Sequence, residues 1–304
     1  METFDIAIIG SGPAGLTAGI YASRGAASTI LFAGEKWGGQ LMLTSTVENY
    51  PGFVDGIEGP DLMVAMRSQA EKLGVKIMNI NVTEVDFNVQ PFKINNSYLA
   101  KAVIIATGAE TLWLGVPGEA ALIGRGISSC APCDAPFFKD KNAAVVGGGD
   151  SAMEEALVLA KFAKLVTIIH RRDAFKASKI MQQKVLSNPK IKVLYNTEVQ
   201  EVIGSQKLEK IIIKNNVEGK ISDFPVDGLF VAVGHSPSAK LFQGKIELNE
   251  KGYVIKKAIN GFHMATSVNG VFVAGDVHDF HYKQAITAAS FGCMAGLDAL
   301  KYLG

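Results

Sequence analysis

The chain is short of sulfur and has no surplus charge of either sign, and each shortage closes a class. It holds only three cysteines in 304 residues, an odd, low count unlike the paired framework of a small secreted scaffold. Lysine and arginine total 30 against 29 acidic residues, a net charge of +1. That gives no broad field to attract nucleic acid or an anionic membrane. Arginine-rich and low-complexity tracts are missing, and the apolar runs are too short to span a bilayer. Met1 to Asp5 shows no basic region leading into an apolar leader with a small-residue cleavage site, so the expected compartment is the cytoplasm. What is left is an ordinary globular composition, 48% hydrophobic and 19% charged, long enough for about two domains. Glycine is plentiful, at 32 residues, and is wanted wherever backbone must approach a ligand closely.

Two of the cysteines lie in Ser129-Cys130-Ala131-Pro132-Cys133-Asp134, a Cys-x-x-Cys pair with a carboxylic acid attached. Half a zinc site is the other use of such a pair, but the chain has no second pair to complete one. Directly after it, Asn142 to Val146 reads as a strand, followed by Gly147-Gly148-Gly149-Asp150-Ser151-Ala152 opening a helix. This is the G-x-G-x-x-A form of a dinucleotide turn. The following strand, Leu165 to Ile169, ends in His170-Arg171-Arg172-Asp173, with Lys176 close behind. An NAD site carries an acid at that position. Guanidinium forks instead match a 2′-phosphate, so this site is read as NADPH-binding. A solvated basic turn is the alternative use of the same residues.

An earlier copy of the pattern stands at the start of the chain. Phe4 to Ile9 is a short apolar strand, Gly10-Ser11-Gly12-Pro13-Ala14-Gly15 is G-x-G-x-x-G, and a helix with alanines at four-residue spacing follows. The glycines permit the tight turn, the approach of a pyrophosphate and close helix–strand packing, and the helix N-terminus faces the phosphates. The second strand here, Thr29 to Phe32, ends in Ala33-Gly34 with no acid for the ribose until Glu35. Gly38-Gly39-Gln40-Leu41 and Glu48-Asn49 offer amides that suit a flavin edge, or serve as turn chemistry. Lys101 to Ala109, containing Thr107 and Gly108, is a buried strand ending in glycine. Gly270 to Val277 is another, ending at Gly275-Asp276 in position to meet a ribityl chain or pyrophosphate. Gln284-Ala285 opens a small-residue helix expected to return to the first domain. The duplication implies an α/β chain of two Rossmann-like, three-layer ββα dinucleotide-binding domains, the NADPH domain inserted into the FAD domain. The expected limits are 1–114 and 243–304 for the FAD domain and 115–242 for the NADPH domain with the cysteine pair. Gly115–Gly118 and Gly234–Pro237 are the expected joints.

Some features take a plain reading. His278 and His281 around Asp279 are expected in a surface loop, not at a metal site. Cys293, among small helical residues, is expected to be a core thiol. Phe137 and Phe138 are either partner anchors or core.

Taken in order, the two fingerprints, Gly38 to Leu41, Glu48 to Phe53, the Cys130–Cys133–Asp134 group, His170 to Asp173, Gly275 to Val277 and Gln284-Ala285 resemble the low-molecular-weight, bacterial-type thioredoxin reductases across nearly the whole chain. The resemblance implies FAD held by Gly10, Gly12, Pro13, Ala14, Gly15, Gly39, Gln40, Asn49, Thr107, Gly108, Gly275, Asp276, Gln284 and Ala285. It implies NADPH held by Gly147, Gly149, Asp150, Ser151, His170, Arg171, Arg172 and Lys176. It further implies a homodimer and thioredoxin as the protein substrate. The chain departs from the family at Asp134-Ala135-Pro136, where glycine is common, and at Lys176, where an arginine is usual and a lysine loses the fork. The reaction expected is transfer of electrons from NADPH through the flavin to the Cys130–Cys133 disulfide, then thiolate exchange with a partner disulfide. Asp134 is the expected general acid, its pKa raised by burial. Because the cysteines and the NADPH fingerprint share one domain, that domain is expected to rotate about its joints and present each in turn. The rivals are a reductase of another redoxin or peroxidase component, a flavin dithiol oxidase, and a flavin-binding sensor.

Overall fold

Both fingerprints sit on the same topological core. The fold is taken from a computed structural model and covers residues 1–259 and 261–304. Two compact units divide the chain: residues 1–110 with 236–304, and residues 111–235.

In the first unit, Lys76–Met78, Thr29–Phe32, Glu2–Ile9, Tyr98–Ile105 and Val271–Val273 run parallel in that order across one sheet. Val85–Asp86 and Phe92–Ile94 add an antiparallel branch to Tyr98–Ile105. The central strands are apolar throughout because both faces are covered. Ile6 and Ile8 enter one core and Ala7 and Ile9 the other, as alternation along a strand requires. Each such side chain is completely or almost completely buried, a contribution of roughly 1.5–3 kcal/mol for an isoleucine.

The helix Pro13–Arg24 lies against the terminal helix Ala285–Leu303 at close range. Gly292 permits it: a Cβ there would stand 2.1 Å from the Ala14 carbonyl oxygen. The terminal helix starts on a reciprocal cap, in which Gln284 and Thr287 each bond the other's backbone. The expected return of this segment to the first domain is what the structure has.

In the second unit, Ile191–Leu194, Leu165–Ile169, Asn142–Gly147, Gly228–Ala232 and Ile127–Ser128 form a parallel sheet. Counted from each fingerprint strand, the third, second, first and next strands follow one another in both units. Helix Asp150–Leu159 covers one face through Ala152, Met153, Ala156 and Leu159. An antiparallel sheet of Thr197–Ile203, Lys210–Asn215 and Ile221–Pro225 covers the other through Val199, Val202, Ile211 and Ile213. Helix, parallel sheet and antiparallel sheet make the three expected layers.

The chain crosses between units at Glu110–Thr111 and His235–Ser236, both earlier than positions 115 and 242. The glycines at 115–118 are tied inside the second unit. Glu119, 3% exposed, accepts the backbone N–H groups of Leu114 (3.0 Å) and Gly115 (2.7 Å). Phe242 is fully buried in a core of the first unit. The two crossings, Ala109–Thr111 and His235–Pro237, pair as a two-stranded ribbon.

Candidate functional site

The cysteine pair sits on a single helical turn. Cys130 caps the helix Ala131–Asp134, Pro132 lies in its first turn, and Cys133 closes a disulfide back to Cys130 with the Cα atoms 5.3 Å apart. The N–H groups of Cys133 and Asp134 donate to the Cys130 carbonyl at 3.2 and 3.1 Å. Ser128, 9% exposed at the end of the preceding strand, accepts the Cys130 N–H at 3.0 Å and bonds the Asp134 carboxyl. Burial raises the Asp134 pKa above the ordinary carboxylate value, and the Ser128 bond pulls partly back. The result is an acid held beside a reducible bond in an environment that favours its protonated form.

Glu155, on the second-fingerprint helix, accepts the N–H of the fully buried Ala131 at 2.5 Å. Neither Ser128 nor Glu155 was singled out in the sequence. Both reach the turn through tertiary packing and carry no local signal. The two phenylalanines separate cleanly. Phe138 is core, its ring 5.1 Å from Phe230 and filling the space left by Gly228, while Phe137 is exposed.

The second glycine turn is open. Gly149 precedes helix Asp150–Leu159, and a Cβ on it would meet nothing within 4 Å. Asp150 accepts the Ser178 N–H at 2.9 Å, which keeps its carboxylate below the ordinary pKa. The loop after Ile169 folds back so that the N–H groups of Lys176 and Ala177 both donate to Gly148, at 2.8 and 3.1 Å. Arg171, Arg172 and Lys176 are exposed, and among the described residues none forms an ion pair. Three unpaired cations at the end of the second strand fit a 2′-phosphate.

His170 sits deeper than the two arginines that follow it. It is 7% exposed behind the glycine turn, one ring nitrogen 3.0 Å from the Gly147 carbonyl and the other 2.9 Å from that of Ala174. A Cβ on Gly148 would strike its ring. Each ring nitrogen lies within hydrogen-bond reach of a backbone carbonyl, so His170 braces the turn from behind.

The first glycine turn is closed behind and open in front. Gly10 has φ +116°, and a Cβ there would lie 2.1 Å from the Ala106 carbonyl oxygen; a Cβ on Gly12 would meet nothing. Pro13 and Ala14 begin the helix, whose first turn contains no acid, so its free N–H groups face open space. Ser11, 5% exposed and passed over as a spacer in the sequence, donates to the Ala33 carbonyl and accepts the Gly38 N–H, both at 2.9 Å. It thereby locks the turn to the Gly39–Leu43 segment that carries Gln40. Thr107 donates to the Ser238 carbonyl at 2.7 Å, Gly108 adopts φ +71°, and Asn49 donates to Gln284 at 3.3 Å. Ala285 begins the terminal helix.

Gly275 packs on Ala14 and leads into Asp276, one of whose carboxylate oxygens is buried without a partner among the described residues. Burial, then the Asp279 carboxylate, pushes its pKa up to about 6 despite Lys283. Such an oxygen is one that the hydroxyls of a ribityl chain would satisfy. This orphan acceptor and the open face at Gly12 fit an FAD.

The histidine loop is corrected in part. His278 and Asp279 are buried, at 9% and 6% exposure, whereas Phe280, His281 and Tyr282 are exposed, so only the first part of the loop departs from a surface position. Asp279 accepts the N–H groups of His281, Tyr282 and Lys283. The His278 ring meets Phe291 edge-on at 4.6 Å, and burial with Lys256 presses its pKa down to about 4. No group able to hold a metal is found among the described residues. Cys293 is half-buried, not core, and pairs with the Tyr21 hydroxyl.

The chain is similar to known proteins over nearly its whole length. The sequence profile of the pyridine nucleotide-disulphide oxidoreductase family matches residues 4–292. A thioredoxin reductase of Streptomyces coelicolor is 48% identical over 304 residues, spanning 98% of this chain and 94% of its own. One of Rickettsia typhi is 46% identical over 308 residues, spanning 99% and 98%. The solved thioredoxin reductase of Giardia duodenalis superposes with a TM-score of 0.93 at 41% identity, spanning 100% of this chain and 99% of its own. That of Streptococcus pyogenes also reaches 0.93, at 39% identity over 99% and 98%.

Proposed function

The chain belongs to the pyridine nucleotide-disulphide oxidoreductase family, and from that premise we propose that it is an NADPH-dependent thioredoxin-disulfide reductase. It is an oxidoreductase, and its family works with FAD and NADPH. The observation that carries the reading is the company the Cys130–Cys133 disulfide keeps. It shares a unit with three exposed, unpaired cations at a dinucleotide turn, while the other unit holds a second turn of the same topology.

When bound, the NADPH and FAD supply the two electrons that a disulfide needs. In the first unit Gly10, Gly12 and the helix N-terminus after it would take the flavin's pyrophosphate, and Asp276 would accept from its ribityl hydroxyls. Gly39, Gln40, Asn49, Thr107, Gly108, Gln284 and Ala285 complete that cradle. In the second unit Gly147, Gly149, Asp150 and Ser151 would meet the phosphates of NADPH, with Arg171, Arg172 and Lys176 on its 2′-phosphate. Cys130 and Cys133 carry the exchange with thioredoxin through a mixed disulfide. Asp134 gives its proton to the departing thiolate, and Ser128 holds the carboxyl in place to do so. Phe137 is the candidate anchor for the protein partner.

The inserted unit turns about the ribbon formed by Ala109–Thr111 and His235–Pro237, bringing the dithiol and the nucleotide to the flavin in alternation. Two copies associate as a homodimer in the cytoplasm. The family resemblance supports that setting; no described helix is long and apolar enough to cross a membrane. Purified protein should be yellow, sediment at twice the chain mass, and oxidise NADPH far faster than NADH once oxidised thioredoxin is added. Colourless protein that cannot retain added FAD would falsify the reading. A yellow protein that reduces a different redoxin and ignores thioredoxin would keep the chemistry and change the partner.

A further inference from the structure

Two carboxyls flank the reducible turn, and only Asp134 has work in the reaction derived so far. Glu155 reaches the turn from the helix Asp150–Leu159, whose first turn is the nucleotide cradle. Its oxygen accepts the Ala131 N–H, the donor immediately after Cys130. Ala131 is fully buried, so that N–H has no access to water and needs a fixed acceptor. A neutral side chain would satisfy it equally well. A carboxylate also puts negative charge within one residue of Cys130, where charge of that sign opposes formation of a thiolate.

We propose that Glu155 is a positioning residue for the cysteine pair, fixing the start of the Cys130–Cys133 turn through Ala131 and restraining the reduced pair as thiols through its charge. The groups seen on the elements around the turn are these. The turn's own helix contributes Asp134, which burial favours in its neutral form. Ser128 on the preceding strand is uncharged, and the Ala135–Phe138 turn that follows holds no charged residue. On the helix behind it, Glu155 is the acid that bonds the turn, while Glu154 and Asp150 are exposed. The arrangement divides labour: Asp134 supplies a proton, and Glu155 holds the start of the turn and disfavours the thiolate. It also ties the cysteine turn to the helix that begins at the nucleotide cradle, so both move as one piece.

This inference rests on the Cys130–Cys133 pair being the working redox pair, and its test avoids nucleotide and thioredoxin altogether. Flavin-loaded wild type, Glu155→Gln and Glu155→Ala are reduced with dithiothreitol, desalted without oxygen and treated with iodoacetamide at pH 7. Two electrons and two protons from the dithiothreitol open the S–S bond, leaving two thiols and cyclic oxidised dithiothreitol. Labelling of Cys130 and Cys133 is followed by mass, and hydrogen exchange at the Ala131 N–H is measured in the oxidised proteins. Glutamine keeps an acceptor and removes the charge, so its pair should alkylate about threefold to tenfold faster, with Ala131 as protected as in wild type. Alanine removes both, so exchange at Ala131 should accelerate by about tenfold or more. Alkylation of Glu155→Gln within twofold of wild type, or faster alkylation accompanied by lost protection, overturns the charge role. Wild-type protection of Ala131 in Glu155→Ala overturns the positioning role. In either case NADPH-driven reduction of thioredoxin by the wild type still decides the enzyme's function separately.

Discussion

The two glycine turns share a strand order, yet the first is packed tightly from behind and open only in front, while the second is exposed more widely. The first is roofed by the terminal helix, braced by the buried Ser11 hydroxyl and followed by a buried acid with an unpaired oxygen. The second has Gly149, Asp150 and Ser151 exposed and three cations at its mouth. A covered cradle suits a group that stays, and an open, cationic one suits a nucleotide that arrives and leaves. On the proposed function the same topology would serve a resident cofactor in one unit and a travelling substrate in the other, the difference lying in what packs behind the turn.

The largest expected break in this comparison comes from adding one methyl to each turn. Gly10→Ala drives a Cβ into the Ala106 carbonyl at a left-handed φ and should cost about 3–5 kcal/mol, read as loss of folded yellow protein. Gly149→Ala meets nothing and should leave thermal stability within about 1 kcal/mol while weakening NADPH binding.

Next in size is the buried acid of the covered cradle. Unfolded chain releases the Asp276 proton near 3.8, and the folded, flavin-free chain holds it to about 6. Ionisation therefore favours the unfolded state as pH rises through that window, by about 3 kcal/mol in full. His278 works the other way: its folded pKa is held near 4 against 6.5 unfolded, so it adds stability as pH rises. The informative quantity is the difference between Asp276→Asn and wild type in denaturant melts of flavin-free protein. The variant should gain on wild type between pH 4 and 6 and level off above, while binding FAD more weakly.

At the dithiol, Asp134→Asn should lower kcat by about 100-fold and remove the acid from its pH profile, with flavin content unchanged. At the open cradle, replacing Arg171 and Arg172 by glutamine should raise the KM for NADPH by about 10–100-fold and spare NADH, as read from kcat/KM for both nucleotides. A KM rise shared equally by NADH would mean the arginines serve the fold and not the 2′-phosphate.

Much of this was legible before folding. Gly10–Gly15, Gly147–Ala152 and Cys130–Asp134 are local patterns whose chemistry lies in adjacent residues, so order and spacing sufficed. Arg171 and Arg172 stand out as candidates because they replace an expected acid at a fixed position. The rest depends on distant packing. Ser128 and Glu155 reach the cysteine turn from a neighbouring strand and helix. The position of the His170 ring, filling the space behind Gly148, carries no local signal. The loop at His278 reads as surface because its residues are polar, and His281 is exposed, whereas Asp279 is buried and satisfies three backbone N–H groups of that loop. Glycines 115 and 118 suggested a hinge, but Glu119 ties that loop into the second unit.

The most direct test of a resident cradle serving a mobile dithiol is a thiol count. Yellow protein, oxygen-free, is given excess NADPH, quenched with an alkylating mass tag and weighed, with and without oxidised thioredoxin. Two tags, mapped to Cys130 and Cys133, should appear with NADPH alone and vanish when thioredoxin in excess of the NADPH is added. A flavin that bleaches while both cysteines stay untagged, or tags that persist in the presence of that thioredoxin, would contradict the account.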